Sequence, residues 1–238
     1  MNDFSHVADN IRKLQSEISA AAINAGRDPN EITLIAVTKT YPAEAVTAAI
    51  HAGVTNAGEN RVQEAVPKIC ALANDLSLSP LRWHLIGHLQ SNKARLAVAN
   101  FDMIHSVDSL KLATEINRHA AAAGKLMSIL IQVNISGEES KSGVDAESVE
   151  ALVSGILEEC DHVAIHGFMT MAPLTEPEAA RPTFKGLREL RDHISQEIKH
   201  PRFTPAELSM GMSNDYRVAI EEGATMIRVG TAIFGKRG

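Results

Sequence analysis

The chain has 238 residues, 45% of them apolar, enough for one barrel-sized domain or two small ones around a buried core. A formal net charge of -6 argues against a general nucleic-acid surface, which wants an excess of lysine and arginine. The N-terminus MNDFSHVADNIRKLQSEI has no signal-peptide core, no uncharged apolar run approaches the roughly 18 residues of a membrane span, and the two cysteines, Cys70 and Cys160, form no close pair. A cytoplasmic protein without membrane contact, disulfide framework or thiolate metal site is expected.

An amphipathic segment over residues 3–25 predicts a helix ahead of everything else. The first strand, ITLIAVT at 32–38, stops on Lys39, and the helix PAEAVTAAIHAG follows with Pro42 suited to its first position. Strand VTNAG (54–58) leads into helix NRVQEAVPKICALAN, and then come strands RWHLIG (82–87) and FDMIHS (101–106). Helix SLKLATEINRHAAAAG precedes strand MSILIQVN (127–134), and helix DAESVEALVSGILEEC precedes strand VAIHGFMTM (163–171). Helix EPEAARPTFKGLRELRDHISQEI, strand AELSMGM (206–212), helix SNDYRVAIEEG and strand TMIRVG (225–230) complete the pattern. Eight strands alternating with helices predict a closed (β/α)8 TIM barrel rather than an open doubly wound sheet. No linker divides the chain, so residues 1–238 are expected to be a single domain, with APLTEPEAARP (172–182) as one strand-to-helix connection.

In such a barrel the site forms where strands end. The residues there are Lys39, Glu59-Asn60, His88 with Gln90, His105-Ser106, Asn134, Met169 to Met171, Ser213-Asn214 and Gly230-Thr231. Alternation puts Lys39 on the face of Ile35 and Val37. Pointing inward, it would enter the barrel mouth, where burial lowers a lysine from about 10.4 and frees amine to attack a carbonyl. The strand alone is better explained by a lysine that snorkels into solvent.

The later strands change that balance. SMGMSNDYRVAIEEGA places Ser213 as an N-cap with Asp215 in the first helical turn, a start whose N–H groups favour an anion. Gly230 would let a ligand approach the backbone, and Thr231 offers a hydroxyl and an N–H, in the loops where such barrels usually cradle phosphate. Arg228 lies inside the apolar strand on the face of Gly230, so it either pairs with a buried carboxylate or faces a ligand acceptor. Lysine, cradle and arginine together describe a site for a phosphorylated carbonyl compound, either a phospho-sugar or pyridoxal 5'-phosphate. A metal-dependent hydrolase is disfavoured: His84 and His88 stand roughly 13 Å apart along an extended strand, and no His-x-His pair occurs. His84, His105 and His166 are expected to be hydrogen-bonded residues lining the barrel.

The segments WHLIGHLQSNK (83–93), AVTKTYP (36–42), AGENRVQE (57–64), HGFMTMAP (166–173), LSMGMSNDY (208–216) and IRVGTAIFG (227–235) resemble the YggS/PROSC family of pyridoxal phosphate homeostasis proteins. The resemblance covers essentially the whole chain. It implies a barrel like the N-terminal domain of bacterial alanine racemases, with Lys39 holding pyridoxal 5'-phosphate as an internal aldimine. It further implies that Ser213, Gly230 and Thr231 hold the phosphate, that Arg228 faces the pyridine nitrogen and that Asn60 neighbours the ring. No catalytic residue and no metal ligand is assigned.

An arginine there cannot take the ring proton, which disfavours broad amino-acid chemistry. The tyrosine that a racemase draws from a second domain is expected to be missing, since the chain ends eight residues after Gly230. A monomer is therefore expected, with apo-enzymes as possible recipients. Tyr41 reads as the start of a helix and Tyr216 as part of the phosphate-site helix. The alternatives are a low-activity racemase and a Schiff-base aldolase using Glu59.

Overall fold

The computed structural model describes residues 4–73, 75, 80–138, 142–173 and 175–235. Its eight barrel strands are β1 (Thr33–Val37), β2 (Asn56–Glu59), β3 (Arg82–Leu85), β4 (Met103–Val107), β5 (Met127–Asn134), β7 (Val163–Met169), β8 (Phe203–Ser209) and β9 (Met226–Val229). All pair in parallel; β1 bonds β2 and β9, and β4 bonds β5, so the sheet closes on itself. A two-residue strand, β6 (Val144–Asp145), adds only to the end of β5. The helices are α1 (His6–Asn24), α2 (Ala43–His51), α3 (Val62–Ala73), α4 (Ala94–Asn100), α5 (Leu110–Ala122), α6 (Val149–Glu159), α7 (Arg181–Glu197), α8 (Tyr216–Glu221) and α9 (Thr231–Phe234). The closed parallel barrel with a leading helix is the architecture expected from the strand count.

Two apolar layers follow from strand alternation. Ala36, Ala57, Leu85, Ile104, Ile129, Ile165 and Ile227 face outward into the shell beneath the helices. Ile35, Met103, Leu130, Met169 and Met226 form a separate buried cluster inside the barrel. Ile35 therefore points inward, and Val37 and Lys39 follow it to the barrel mouth.

Helix α1 does more than precede the barrel. His6 Nε2 and Asn10 Nδ2 meet the Phe234 and Ile233 carbonyls at 3.3 and 2.8 Å, which secures the last short helix, α9. Arg27 Nη1 donates to the Ile220 and Ala224 carbonyls at 2.9 and 2.8 Å, tying the end of α8.

Boundaries differ from the pattern where local signals compete. Pro42 is the N-cap of α2 rather than its first residue. The strand expected from 206 starts at Phe203 and carries Pro205, tolerated because the β7–β8 register shifts between Ile165 and Gly167, beside it. The long helix expected from 176 divides into a 3-10 turn, Pro177–Ala180, and α7. Helix α4, of seven residues, is too short to show a period in the sequence. Asn74, at the end of one expected helix, lies outside the described residues.

Candidate functional site

Six strand ends converge on a cavity of about 430 Å³ at the C-terminal mouth, within the usual size range of small-molecule sites. Lys39, Asn60, Ser213, Arg228, Gly230 and Thr231 all line it. Val37 and Met171, placed by the sequence on the face of Lys39 and at a strand end, form the apolar part of the wall with Ile86, which sequence reasoning missed. That reasoning also gave His88, Gln90 and Asn134 equal standing as strand-end residues. His88 and Gln90 border a separate hollow with Arg61 and Lys93, and the Asn134 amide donates to the Glu138 carbonyl at 3.0 Å.

Ser213 does not cap a helix. Asp215 occupies the N-cap position of α8, and its Oδ1 accepts from the Met212 N–H at 2.6 Å, closing the turn from within. That leaves Ser213 two residues before the N-cap, in the turn that borders the cavity. Burial holds the Asp215 carboxyl above the ordinary range, opposed by the Met212 N–H and by Arg228. Across the mouth, Asn214 Nδ2 donates to the Thr175 carbonyl at 3.2 Å and joins two loops. At Gly230 an added Cβ would press on Val37 at 3.3 Å, so a side chain there would crowd the cradle.

Arg228 is 4% exposed and, among the described residues, pairs with no carboxylate. Its Nη1 donates to Ser209 Oγ at 2.7 Å and its Nη2 to the Thr170 carbonyl at 2.9 Å. Burial lowers its pKa to about 10, so it stays charged at neutral pH.

A line of neutral groups continues from it through the barrel. Ser209 Oγ meets His105 Nδ1 at 2.9 Å, His105 Nε2 meets His84 Nδ1 at 2.9 Å, and His84 Nε2 meets Asn56 Oδ1 at 2.9 Å. Asn56 Nδ2 donates to Thr55 Oγ1 at 3.0 Å, which turns its Oδ1 to His84. One tautomer set satisfies every link: Ser209 donates to His105, His105 to His84, and His84 to Asn56. Burial depresses the pKa of both histidines, His84 to about 3, so both are neutral. The expectation that these two line the barrel holds, whereas His166 meets Thr204 Oγ1 at 3.1 Å. Ser209→Ala would leave the Arg228 donor and the His105 acceptor unmatched in a dry interior, a cost of about 2 kcal/mol or more. A fall in the urea midpoint at unchanged slope is the expected readout.

Glu59 is turned out of the mouth, contrary to its candidacy as an aldolase acid. It is fully buried at the end of β2, where Oε1 accepts from Thr38 Oγ1 at 2.6 Å and from Lys68 Nζ at 2.5 Å. Asn60, one residue on, takes the cavity-facing place. Its Oδ1 is buried without a hydrogen-bond partner, the kind of atom a ligand would satisfy. Tyr41 lines the cavity with its hydroxyl donating to the Gly235 carbonyl at 3.0 Å. The Tyr216 hydroxyl reaches Glu17 on α1 at 2.5 Å. Among the described residues, no group of three or more histidine, cysteine or acidic side chains is placed to hold a metal ion.

A closed parallel barrel with a lysine just beyond its first strand and a cavity at the mouth lined by the loops after its last two strands has the layout of a small-molecule-binding α/β barrel. The alanine racemase N-terminal domain family matches residues 3–238. The pyridoxal phosphate homeostasis protein of Escherichia coli K12 is 42% identical over 246 residues, covering 100% of this chain and 98% of that one. PipY of Synechococcus elongatus, solved with pyridoxal phosphate bound, superposes with a TM-score of 0.83 at 39% identity, covering 96% of this chain and 100% of that one. The alanine racemase of Streptomyces coelicolor shares the fold, with a TM-score of 0.73 at 18% identity, and the match spans 99% of this chain and 59% of that one. The chain belongs to the pyridoxal phosphate homeostasis protein family, within the alanine racemase N-terminal-domain fold.

Proposed function

We propose that the protein binds pyridoxal 5'-phosphate in this cavity and serves vitamin B6 homeostasis in the cytoplasm. It holds the cofactor on Lys39 with little or no turnover and releases it to apo-enzymes. The observation that carries the reading is the convergence of Lys39, Arg228 and the Ser213, Gly230 and Thr231 cradle on one cavity. The role of the Escherichia coli relative and the pyridoxal phosphate in the Synechococcus structure support the same ligand.

The residues fit such a group: Asn60 Oδ1 is buried and unmatched, and Gly230 keeps the cradle open to an approaching phosphate. When bound, pyridoxal phosphate supplies an aldehyde that condenses with amines and a ring that can draw electrons from an attached carbon. Ser213 and Thr231 would hold its phosphate through hydroxyl and backbone N–H donors. Arg228, still charged at neutral pH, could not accept a proton from the ring nitrogen, which would leave the ring a weak electron sink.

Two further features support holding over turnover. The hydroxyl protons of Tyr41 and Tyr216 are committed to Gly235 and Glu17, and burial pushes the Tyr216 phenol up to about 12. Among the described residues the large apolar side chains that stay exposed, Ile23 on α1, Leu96 on α4, Leu126 just before β5 and Met171 beyond β7, lie on separate segments, in keeping with a monomer. Among the described residues no helix is long and apolar enough to cross a membrane.

The test is reconstitution with pyridoxal 5'-phosphate. The expected result is a visible absorbance band that borohydride makes permanent on Lys39 and that Lys39→Ala abolishes. The loaded protein should then restore activity to an apo-enzyme. Absence of a band in the reconstituted wild type would refute the proposal, and rapid entry of solvent deuterium at Cα of alanine would favour the racemase instead.

A further inference from the structure

Every backbone and side-chain polar atom of Thr38, the residue before Lys39, is engaged. Its N–H donates to the Gly58 carbonyl at 3.0 Å and its hydroxyl to Glu59 Oε1 at 2.6 Å. Its carbonyl accepts from Lys68 Nζ at 2.8 Å and from the Tyr41 N–H at 3.1 Å. Lys68, on α3, also donates to Glu59 Oε1 at 2.5 Å, with the two side chains 9% and 0% exposed. A buried ion pair of this kind adds little net stability over a well-packed apolar pair. Neither residue lines the cavity.

Strain lies immediately beyond. Thr40 has φ 66, and among the described residues it is the sole non-glycine with a positive φ. A β-branched residue adopts that conformation only where its surroundings over-determine it. One side of the turn is held by the Lys68 and Glu59 grip on Thr38. The other is held by Tyr41, whose hydroxyl bonds the Gly235 carbonyl and whose ring packs on Phe234 at 4.7 Å. Lys39 sits between the two anchors.

We propose that Lys68 and Glu59 are positioning residues for Lys39. Acting through Thr38, they hold the strained turn so that the lysine amine is aimed across the cavity toward the phosphate cradle. The inference rests on the reading of Lys39 as the attachment point for an aldehyde. It accounts for a charged pair behind the barrel wall and for the strained threonine beside the lysine.

The test uses the full chain carrying Glu59→Gln with Lys68→Met, which removes both buried charges together, and Lys68→Arg as the conservative variant. Three quantities are read: the rate of the borohydride-trapped adduct of pyridoxal 5'-phosphate on Lys39, the affinity for inorganic phosphate, and amide hydrogen exchange at residues 39–41. In the double variant the adduct should form about tenfold more slowly or worse, with phosphate affinity within about twofold of wild type. Exchange at residues 39–41 should be faster, and Lys68→Arg should restore both. Unchanged adduct rate and exchange, or a parallel loss of phosphate affinity, would overturn the proposal. Should the double variant not fold, Lys68→Gln is read by the same measurements. If wild type forms no adduct on Lys39, the cofactor reading fails, while the exchange comparison still decides whether Lys68 and Glu59 hold the turn.

Discussion

Below about pH 6 the unfolding free energy should fall by about 2.7 kcal/mol for each pH unit, from two histidines that the fold keeps neutral. His84 and His105 are both buried, and burial is the largest cause of their depressed pKa values, with Arg82 adding to the effect at His84, and His84 and then Arg228 adding to it at His105. In the unfolded chain each takes up a proton near its ordinary 6.5, whereas in the fold His84 resists protonation until about pH 3. The unfolded state therefore binds more protons across that window, and stability is lost as pH falls through it. Burial also lowers the pKa of His166, which adds in the same sense, whereas Asp215, raised by burial, titrates in the opposite sense, so the slope attributable to His84 and His105 is read by difference. His105→Gln should remove about half of the slope, or about 1.4 kcal/mol per pH unit, measured by urea unfolding between pH 6 and pH 4. An unchanged slope would mean that His105 is not held neutral. Over two pH units the full effect reaches about 5 kcal/mol, comparable with the whole stability of many domains.

Gly167→Ala is expected to cost about 3–5 kcal/mol, combining left-handed strain with overpacking. Gly167 has φ 148, and a Cβ built on it would lie 1.9 Å from the Glu207 carbonyl oxygen and 2.7 Å from its carbon. Both atoms are backbone of β8, so no side chain can rotate away and the β7–β8 pairing would have to open. A fall in Tm of about 10 °C or more should follow. The site should suffer too, because Thr170 follows β7 and Ser209 ends β8, and these are the two acceptors of Arg228. Gly124→Ala is the control: φ 62 carries strain, but nothing lies within 4 Å of the added Cβ, and phosphate binding should be unaffected.

The expected barrel emerged because strand and helix periods are local properties of consecutive side chains. Eight apolar runs separated by helical segments admit few closed arrangements, and the lysine, the glycine-threonine pair and the arginine could be placed at strand ends by counting alone. The segments WHLIGHLQSNK and LSMGMSNDY also signalled the family, to which the chain belongs.

What failed was any reading that depended on one polar side chain choosing among several partners. Ser213 has the chemistry of an N-cap, but Asp215 is two residues nearer the helix and its longer reach closes the turn. Glu59 has the chemistry of an acid at the mouth, yet the one-residue step from it to Asn60 decides which of the two faces the cavity. The partners of Lys68 stand nine and thirty residues away, and those of Arg228 nineteen and fifty-eight, distances over which sequence pattern carries no pairing information.

The sequence by itself determined the barrel, through strand order and alternation, and the family, through its motifs, and it named six residues that line one cavity. Only the tertiary structure decided that Arg228 is met by Ser209 and a carbonyl instead of a carboxylate, that His84 and His105 form one neutral line, and that Lys68 and Glu59 stand behind Lys39. Each of these depends on which side chains from non-neighbouring segments reach the same buried point, and that is fixed by closing the sheet.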